Sequence, residues 1–208
     1  MSEHYASDFD WFFLGGDDCF LLVDALKRFL ESSQIAAARA SGSGLYIGRR
    51  FKIDPSSLSF NLDDNAPTTF NGGGPGYVLD STALKMLGKV LSEKEDLCEG
   101  SLAKLVDDVP IAVCLSKLGI LAFDSRDENG RDRFHHFSTE NVAETQLYGV
   151  PIELTWWGQS YVDFIPGIKG ISDDSITFQH NLTFQKRNSR SSLWVDFYLS
   201  SCKNKEMD

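Results

Sequence analysis

Nowhere does the sequence carry a run near the roughly 20 apolar residues that a membrane-spanning helix needs. Nor is Met1 followed by the basic-then-apolar start of a secretory signal. The expectation is a chain that is either soluble in the cytosol or lacks its natural N-terminus. Positive charge is also scarce: 20 Lys and Arg stand against 30 Asp and Glu, a formal net charge of −10. That balance argues against a nucleic-acid partner held by phosphate neutralisation. It also repels anionic membranes, and a nucleotide diphosphate unless a metal or local basic groups intervene. The four cysteines, Cys19, Cys98, Cys114 and Cys202, form no close C-x-x-C pair, which argues against a structural zinc site. The phosphate loop G-x-x-x-x-G-K-[ST] is missing too.

What is present is a globular composition, 42% apolar and 24% charged. At 208 residues the chain can bury a sizeable core in one domain, at most two. Trp11 to Leu14 is a short apolar run that reads as a strand buried on both faces. Gly15 and Gly16 break it, and Asp17 and Asp18 follow at its C-terminal end, where open α/β sheets collect ligands. Two carboxylates there invite Mg²⁺ or Mn²⁺. They would serve equally as an N-cap, because the spacing predicts an amphipathic helix over Leu21–Leu30.

Further on, Tyr46 to Phe51 reads as a strand with a basic end, Arg49 and Arg50. Guanidinium forks there either hold a carboxylate or phosphate or form a solvated edge. Asp54 to Thr69 is polar and reads as a surface loop. Asn71 to Leu79 holds four glycines, Gly73 and Gly74 among them, which permit close backbone approach to a ligand. A helix is predicted over Ser81–Leu91. Asp107 and Asp108 precede a second helix, Pro110 to Leu118, stopped by Gly119. As residues they read as N-cap and helix-dipole partner. His135 and His136 are either metal ligands or a surface pair. Trp156, Trp157 and Tyr161 are either a sugar platform or a core cluster.

These stretches match, in order, a set of known motifs. Trp11-Phe12 through Asp17-Asp18 resembles W-F-x-K-A-D-D-D-T-Y. Tyr46 to Lys52 resembles Y-F-G-R-R-F-K, and Gly73 to Leu84 resembles S-G-G-A-G-Y-V-L-S-x-x-A-L. Asp107 to Leu115 resembles E-D-[LV]-x-x-G-x-C-[LM], and Asp124 to Phe137 resembles D-S-R-D-x-x-G-x-x-x-F-H-P-F. Trp156-Trp157 and Tyr161 fall at an aromatic W-Y-W-x-Y-x-Y-Y segment, and Ile171 to His180 at C-C-S-D-x-x-x-S-F-H-Y. Together they resemble the β1,3-glycosyltransferases of family 31, which include fringe, and within them the core 1 β1,3-galactosyltransferases. The resemblance runs from about Phe9 to His180.

The resemblance implies an α/β fold of GT-A type, with a mixed, mostly parallel sheet flanked by helices. Residues 1–208 would be one partial domain lacking much of the N-terminal, uridine-binding part. The implied reaction is inverting transfer of galactose from UDP-galactose to the 3-hydroxyl of O-linked GalNAc on glycoproteins. Asp108 would be the base and Mn²⁺ the cation, held by Asp17, Asp18 and His135. Arg49, Arg50, Gly73, Gly74, Asp107, Trp156, Trp157 and Tyr161 would line the substrates. A Golgi or endoplasmic-reticulum lumen, a membrane anchor absent from this chain, a homodimer and a Cys98–Cys114 disulfide are implied in the same way. Several positions depart from the pattern, and the paired cysteines of C-C-S-D are missing before Ser172. Gly16 replaces the first acid, Ala112 a glycine, His136 a proline and Gln179 a histidine. A metal site weakened or lost at Gly16 leaves a second expectation, a non-catalytic relative acting as a binding or chaperone module.

Overall fold

A computed structural model describes residues 5–53, 68–92, 108–144, 146–147 and 149–179. Its centre is a four-stranded sheet made from β1 (Trp11–Leu14), β3 (Tyr46–Gly48), β6 (Tyr77–Asp80) and β7 (Ala122–Asp124), in the order β1-β6-β3-β7. A second sheet orders β2 (Cys19–Leu21), β11 (Thr177–Gln179) and β8 (Phe134–His135) as β2-β11-β8. Two short hairpin-like pairs complete the set: β4 (Arg50–Lys52) with β5 (Thr69–Asn71), and β9 (Gln146–Leu147) with β10 (Val150–Pro151).

Strand alternation sorts the central sheet into two faces. Phe12, Tyr46, Tyr77 and Leu79 point to one apolar cluster. The helices α3 (Ser81–Ser92) and α4 (Asp108–Lys117) pack there through Leu84, Leu87, Val113 and Leu115. Ile47 and Val78 point to the other cluster, with Leu26 and Phe29 of α1 (Val23–Leu30) and Ile35 of α2 (Ser33–Arg39). The fold is thus mixed α/β with helices on both faces.

The expected mostly parallel sheet is corrected. Only β3–β7 and β8–β11 pair in parallel, and the other described pairs are antiparallel. The apolar runs were legible, but strand direction depends on which strand inserts between which, and β6 inserts between β1 and β3. For the same reason β1 lies at the sheet edge among the described residues, and only Phe12 of it is fully buried. The Leu21–Leu30 helix is shorter than predicted. Cys19–Leu21 is a strand, and the helix starts at Val23 after Leu22, with no side-chain cap. Asp17 and Asp18 therefore lie in a turn and cap nothing. The basic strand is also split, at Arg49, into β3 and β4. By contrast, the stop at Gly119 holds. Gly119, at φ 78°, donates to Ser116 O, and Ile120 N donates to Leu115 O, which is a Schellman ending.

Arginine–aspartate pairs hold the connecting segments. Arg49 is only 5% exposed and pairs with the equally buried Asp132. Its guanidinium carbon lies 4.1 Å from the Tyr161 ring centre. Burial lowers Arg49 to about 10, which still leaves it charged at neutral pH. Arg50 reaches Asp124 at 2.6 Å, and Arg126 grips the same carboxylate through two nitrogens. Burial alone would raise Asp124; the bonds from Arg126 and the charge of Arg50 outweigh it and hold the acid below its usual range. Ser125 donates to Gly48 O at 2.8 Å, and Asp127 accepts from Arg131 and Ser172. The Asp124–Asp127 segment is therefore a brace between β3 and β7 and the second sheet.

His135 sits in this polar interior at 3% exposure. Ser175 Oγ donates to Ser172 O at 2.6 Å, so it receives the bond from His135 Nε2 at 3.0 Å. That fixes the proton on Nε2 of a neutral ring. Burial, then the charge of Arg49, pushes its pKa down to about 3.

Two outcomes follow for stability. Asp132→Ala strips a buried cation of its partner and should cost about 3–5 kcal/mol by urea unfolding; a loss below about 1 kcal/mol would contradict the pairing. For His135 the folded pKa lies below the unfolded value near 6.5. The unfolded state therefore takes up the proton first as pH falls. Stability is complete above about 6.5 and drops by roughly 1.4 kcal/mol per unit towards 3. Unfolding midpoints at pH 7, 6 and 5 should show this slope, and His135→Gln should flatten it.

Candidate functional site

The glycine segment is anchored at its start by β3. Tyr46 Oη donates to Asn71 O at 3.0 Å and accepts from Asn71 N at 3.1 Å. Asn71 Nδ2 returns a bond to Tyr46 O at 3.0 Å. Both residues are fully buried, so these polar groups must satisfy one another. The chain leaving Asn71 then turns tightly, with Gly76 N donating to Gly73 O.

Three walls meet at this turn. The first is the start of α4, a helix buried on most of its surface and laid against β5. Its first residue, Asp108, accepts from Gly73 N through Oδ2 at 2.8 Å and from Val109 N through Oδ1 at 2.9 Å. The second wall is β2 with β11. Gln179 Nε2 donates to Asp18 Oδ2 at 3.2 Å, and Cys19 Sγ donates to Pro75 O at 3.3 Å. Burial, helped by the Asp18 charge, raises the Cys19 thiol to about 11, so it stays neutral. The third wall is aromatic. A Cβ on Gly74 would collide with Gln179 Oε1 and lie 2.6 Å from His136 Cε1, so a larger residue there would have to displace both side chains. His136 lies 4.1 Å from the Trp157 ring centre, and Trp156 stacks on Phe51 at 6.4 Å with half its surface open.

The turn therefore gathers Asp18, Asp108, Gly73 and Gly74 from the expected set. Asp17 is exposed in the adjoining turn. Arg49 and Arg50 are held in ion pairs and act as structural braces. Tyr161 is buried under Arg49 and against Phe51, so it is a core residue. Trp157 is largely packed on His136 and Phe137, which leaves Trp156 as the open aromatic face. Asp107 and Cys98 lie outside the described residues. Cys114 is disulfide-bonded, to a partner outside them, whereas Cys19 is free.

The expected metal ligands do not assemble. His135 is bonded to Ser175 and stacked flat on Phe178, 4.5 Å between ring centres. Phe178 pairs with His135 in register, so both side chains share one face of their sheet. Gln179, the next residue, points to the opposite side, towards Asp18. Period-two alternation thus brings His136, not His135, to the glycine turn. Among the described residues no three His, Cys, Asp or Glu side chains converge as a cation site. Asp17, Asp18 and His135 do not fit a bound Mn²⁺. Gln179 is the site neighbour that the residues alone did not single out, since it appeared only as a departure from a motif; His136 was weighed with His135 as a metal ligand or surface residue, and it is the one of the two that reaches the turn.

No protein-family model matches the chain. It is similar to glycoprotein-N-acetylgalactosamine 3-beta-galactosyltransferase 1 of Xenopus laevis, at 27% identity over 180 residues. That alignment covers 86% of this chain and 43% of the relative. It is also similar to chondroitin sulfate synthase 3 of Mus musculus and of Homo sapiens, at 25% identity over 119 residues in each case. Those alignments cover 57% of this chain and 12% of each synthase. The chain thus spans less than half the length of each of these relatives. The chain is thus similar to glycosyltransferases of these two kinds.

Proposed function

We propose that the chain is a GT-A-type β1,3-galactosyltransferase module. It transfers galactose from UDP-galactose to the 3-hydroxyl of O-linked GalNAc on glycoproteins. The observation that carries this reading is the Asp108 carboxylate, set at the head of a buried helix and bonded to Gly73 N at 2.8 Å. The carboxylate accepts Gly73 N through Oδ2 and Val109 N through Oδ1, which fixes it beside the turn in position to take a proton from a substrate hydroxyl. In the inverting step the 3-hydroxyl oxygen bonds to the anomeric carbon. The bond from that carbon to the diphosphate oxygen breaks, UDP leaves, and the hydroxyl proton passes to Asp108. The half-open face of Trp156 supplies a flat surface for the apolar side of a sugar ring. A Golgi or endoplasmic-reticulum lumen is supported by the disulfide at Cys114, since such bonds persist in oxidising compartments. No described helix is long and apolar enough to cross a membrane.

A second reading, a non-catalytic binding or chaperone module, is favoured by one observation. Asp18 is engaged by the Gln179 amide, and no three-ligand cation site forms among the described residues.

One experiment separates the two: transfer of labelled galactose from UDP-galactose to a GalNAc-bearing glycopeptide, by the wild type and by Asp108→Asn. Asparagine keeps an acceptor oxygen for Gly73 N, loses the one that Val109 N uses, and cannot take a proton. The transferase reading expects a loss of about 100-fold or more in kcat in a variant that stays folded, destabilised by no more than the roughly 0.5–2 kcal/mol of a lost helix cap. A variant within a few-fold of wild type would remove Asp108 as the base. Glycopeptide binding with no transfer by either protein would establish the second reading.

A further inference from the structure

We propose that the site at the glycine turn works without a divalent cation, and that Gln179 is the residue responsible. This goes beyond the transfer reaction and does not rest on it. A cation needs lone pairs converging from several donors. Here the group facing Asp18 is an amide N–H, which has no lone pair to offer. The amide orientation is settled by chemistry, because the reverse would press a carbonyl oxygen against the Asp18 carboxylate. The Gln179 carbonyl oxygen is buried without a hydrogen-bond partner among the described residues. It occupies the space that a Cβ on Gly74 would need. The side chain is therefore wedged between the acid and the turn, with its donor end on the acid.

Position 16 gives an independent observation. A Cβ built on Gly16 would lie 2.8 Å from Asp18 Oδ1, closer than real contacts allow. The Asp18 carboxylate thus leans into the volume that any longer side chain at 16 would require. Gly16 lets Asp18 fold back, and Gln179 receives it there. An acid restored at 16 alone would displace Asp18 rather than join it. One amide donor stands where a metal ion would otherwise balance the carboxylate.

The test is Mn²⁺ binding to the full chain, without sugar nucleotide, followed by electron paramagnetic resonance at about 1 mM Mn²⁺, the weak end of biological cation sites. The readout is Mn²⁺ held by the wild type in excess of Asp18→Asn, which discounts ions on the acidic surface. The expected excess is zero. One equivalent in excess would overturn the proposal. Gln179→Glu and Gln179→His each remove the amide and place a metal-ligating lone pair beside Asp18. At least one of them should bind Mn²⁺ tenfold or more tightly than wild type, the scale of effect seen when a metal's surroundings change by one residue. That gain should vanish when Asp18→Asn is added. Failure of both folded variants to gain affinity would show that Gln179 does not hold the cation's place. Because no transfer is measured, the outcome is independent of whether the chain moves galactose.

Discussion

The reciprocal bonding of Tyr46 and Asn71 is the constraint on which the candidate site depends. Tyr46 lies in β3, which pairs with β6 on one side and β7 on the other. Three hydrogen bonds, each between fully buried groups, tie that strand to the last residue of β5. Leaving any of them unmade would cost about 1–3 kcal/mol for each stranded group. The glycine turn begins immediately after Asn71, so its origin is rigid although all its residues but Pro75 are glycines. Gly48, across from it, would press a Cβ to 3.0 Å from both Asn71 and Tyr77, which shows how closely these strands approach.

From that origin the site is built by parts far apart in sequence. Asp108 arrives on a helix buried through Val109, Ala112, Val113 and Leu115. Asp18 arrives from the turn after an edge strand, and Gln179 from the middle strand of a separate sheet. Their convergence gives one carboxylate bonded to backbone and another bonded to an amide. The two acids therefore have different chemical prospects. Asp108 is held at the turn by Gly73 N, while Asp18 is turned towards Gln179.

Charge is used unevenly across the molecule. The chain is strongly acidic, yet many of its arginines are paired inside it. The exposed pairs, such as Arg28 with Asp174 and Arg39 with Asp10, contribute little. The buried Arg49–Asp132 pair and the half-buried grip on Asp124 tie strand ends to the segments that connect them. A segment as distinctive in sequence as Asp124–Asp127 thus serves to brace the strands, and its residues reach the site only through the strands they hold.

Several features were legible in the sequence itself. Helical spacing located α1 and α3, and glycine stopped α4, because these depend on neighbours within a few residues. The strand readings marked β1 and the β3–β4 stretch, and the glycines marked a close approach. Other features needed the folded chain. Strand direction turned on where β6 inserted, and the roles of Arg49 and Tyr161 turned on a partner, Asp132, some 80 residues from the arginine. His135 and His136 are adjacent and chemically identical in the sequence, and only the register of β8 with β11 sends the first to Ser175 and the second to the glycine turn. Local spacing is a property of the chain alone. Which side of a strand meets a distant acid is decided by long-range pairing, and that exists only once the sheets have formed.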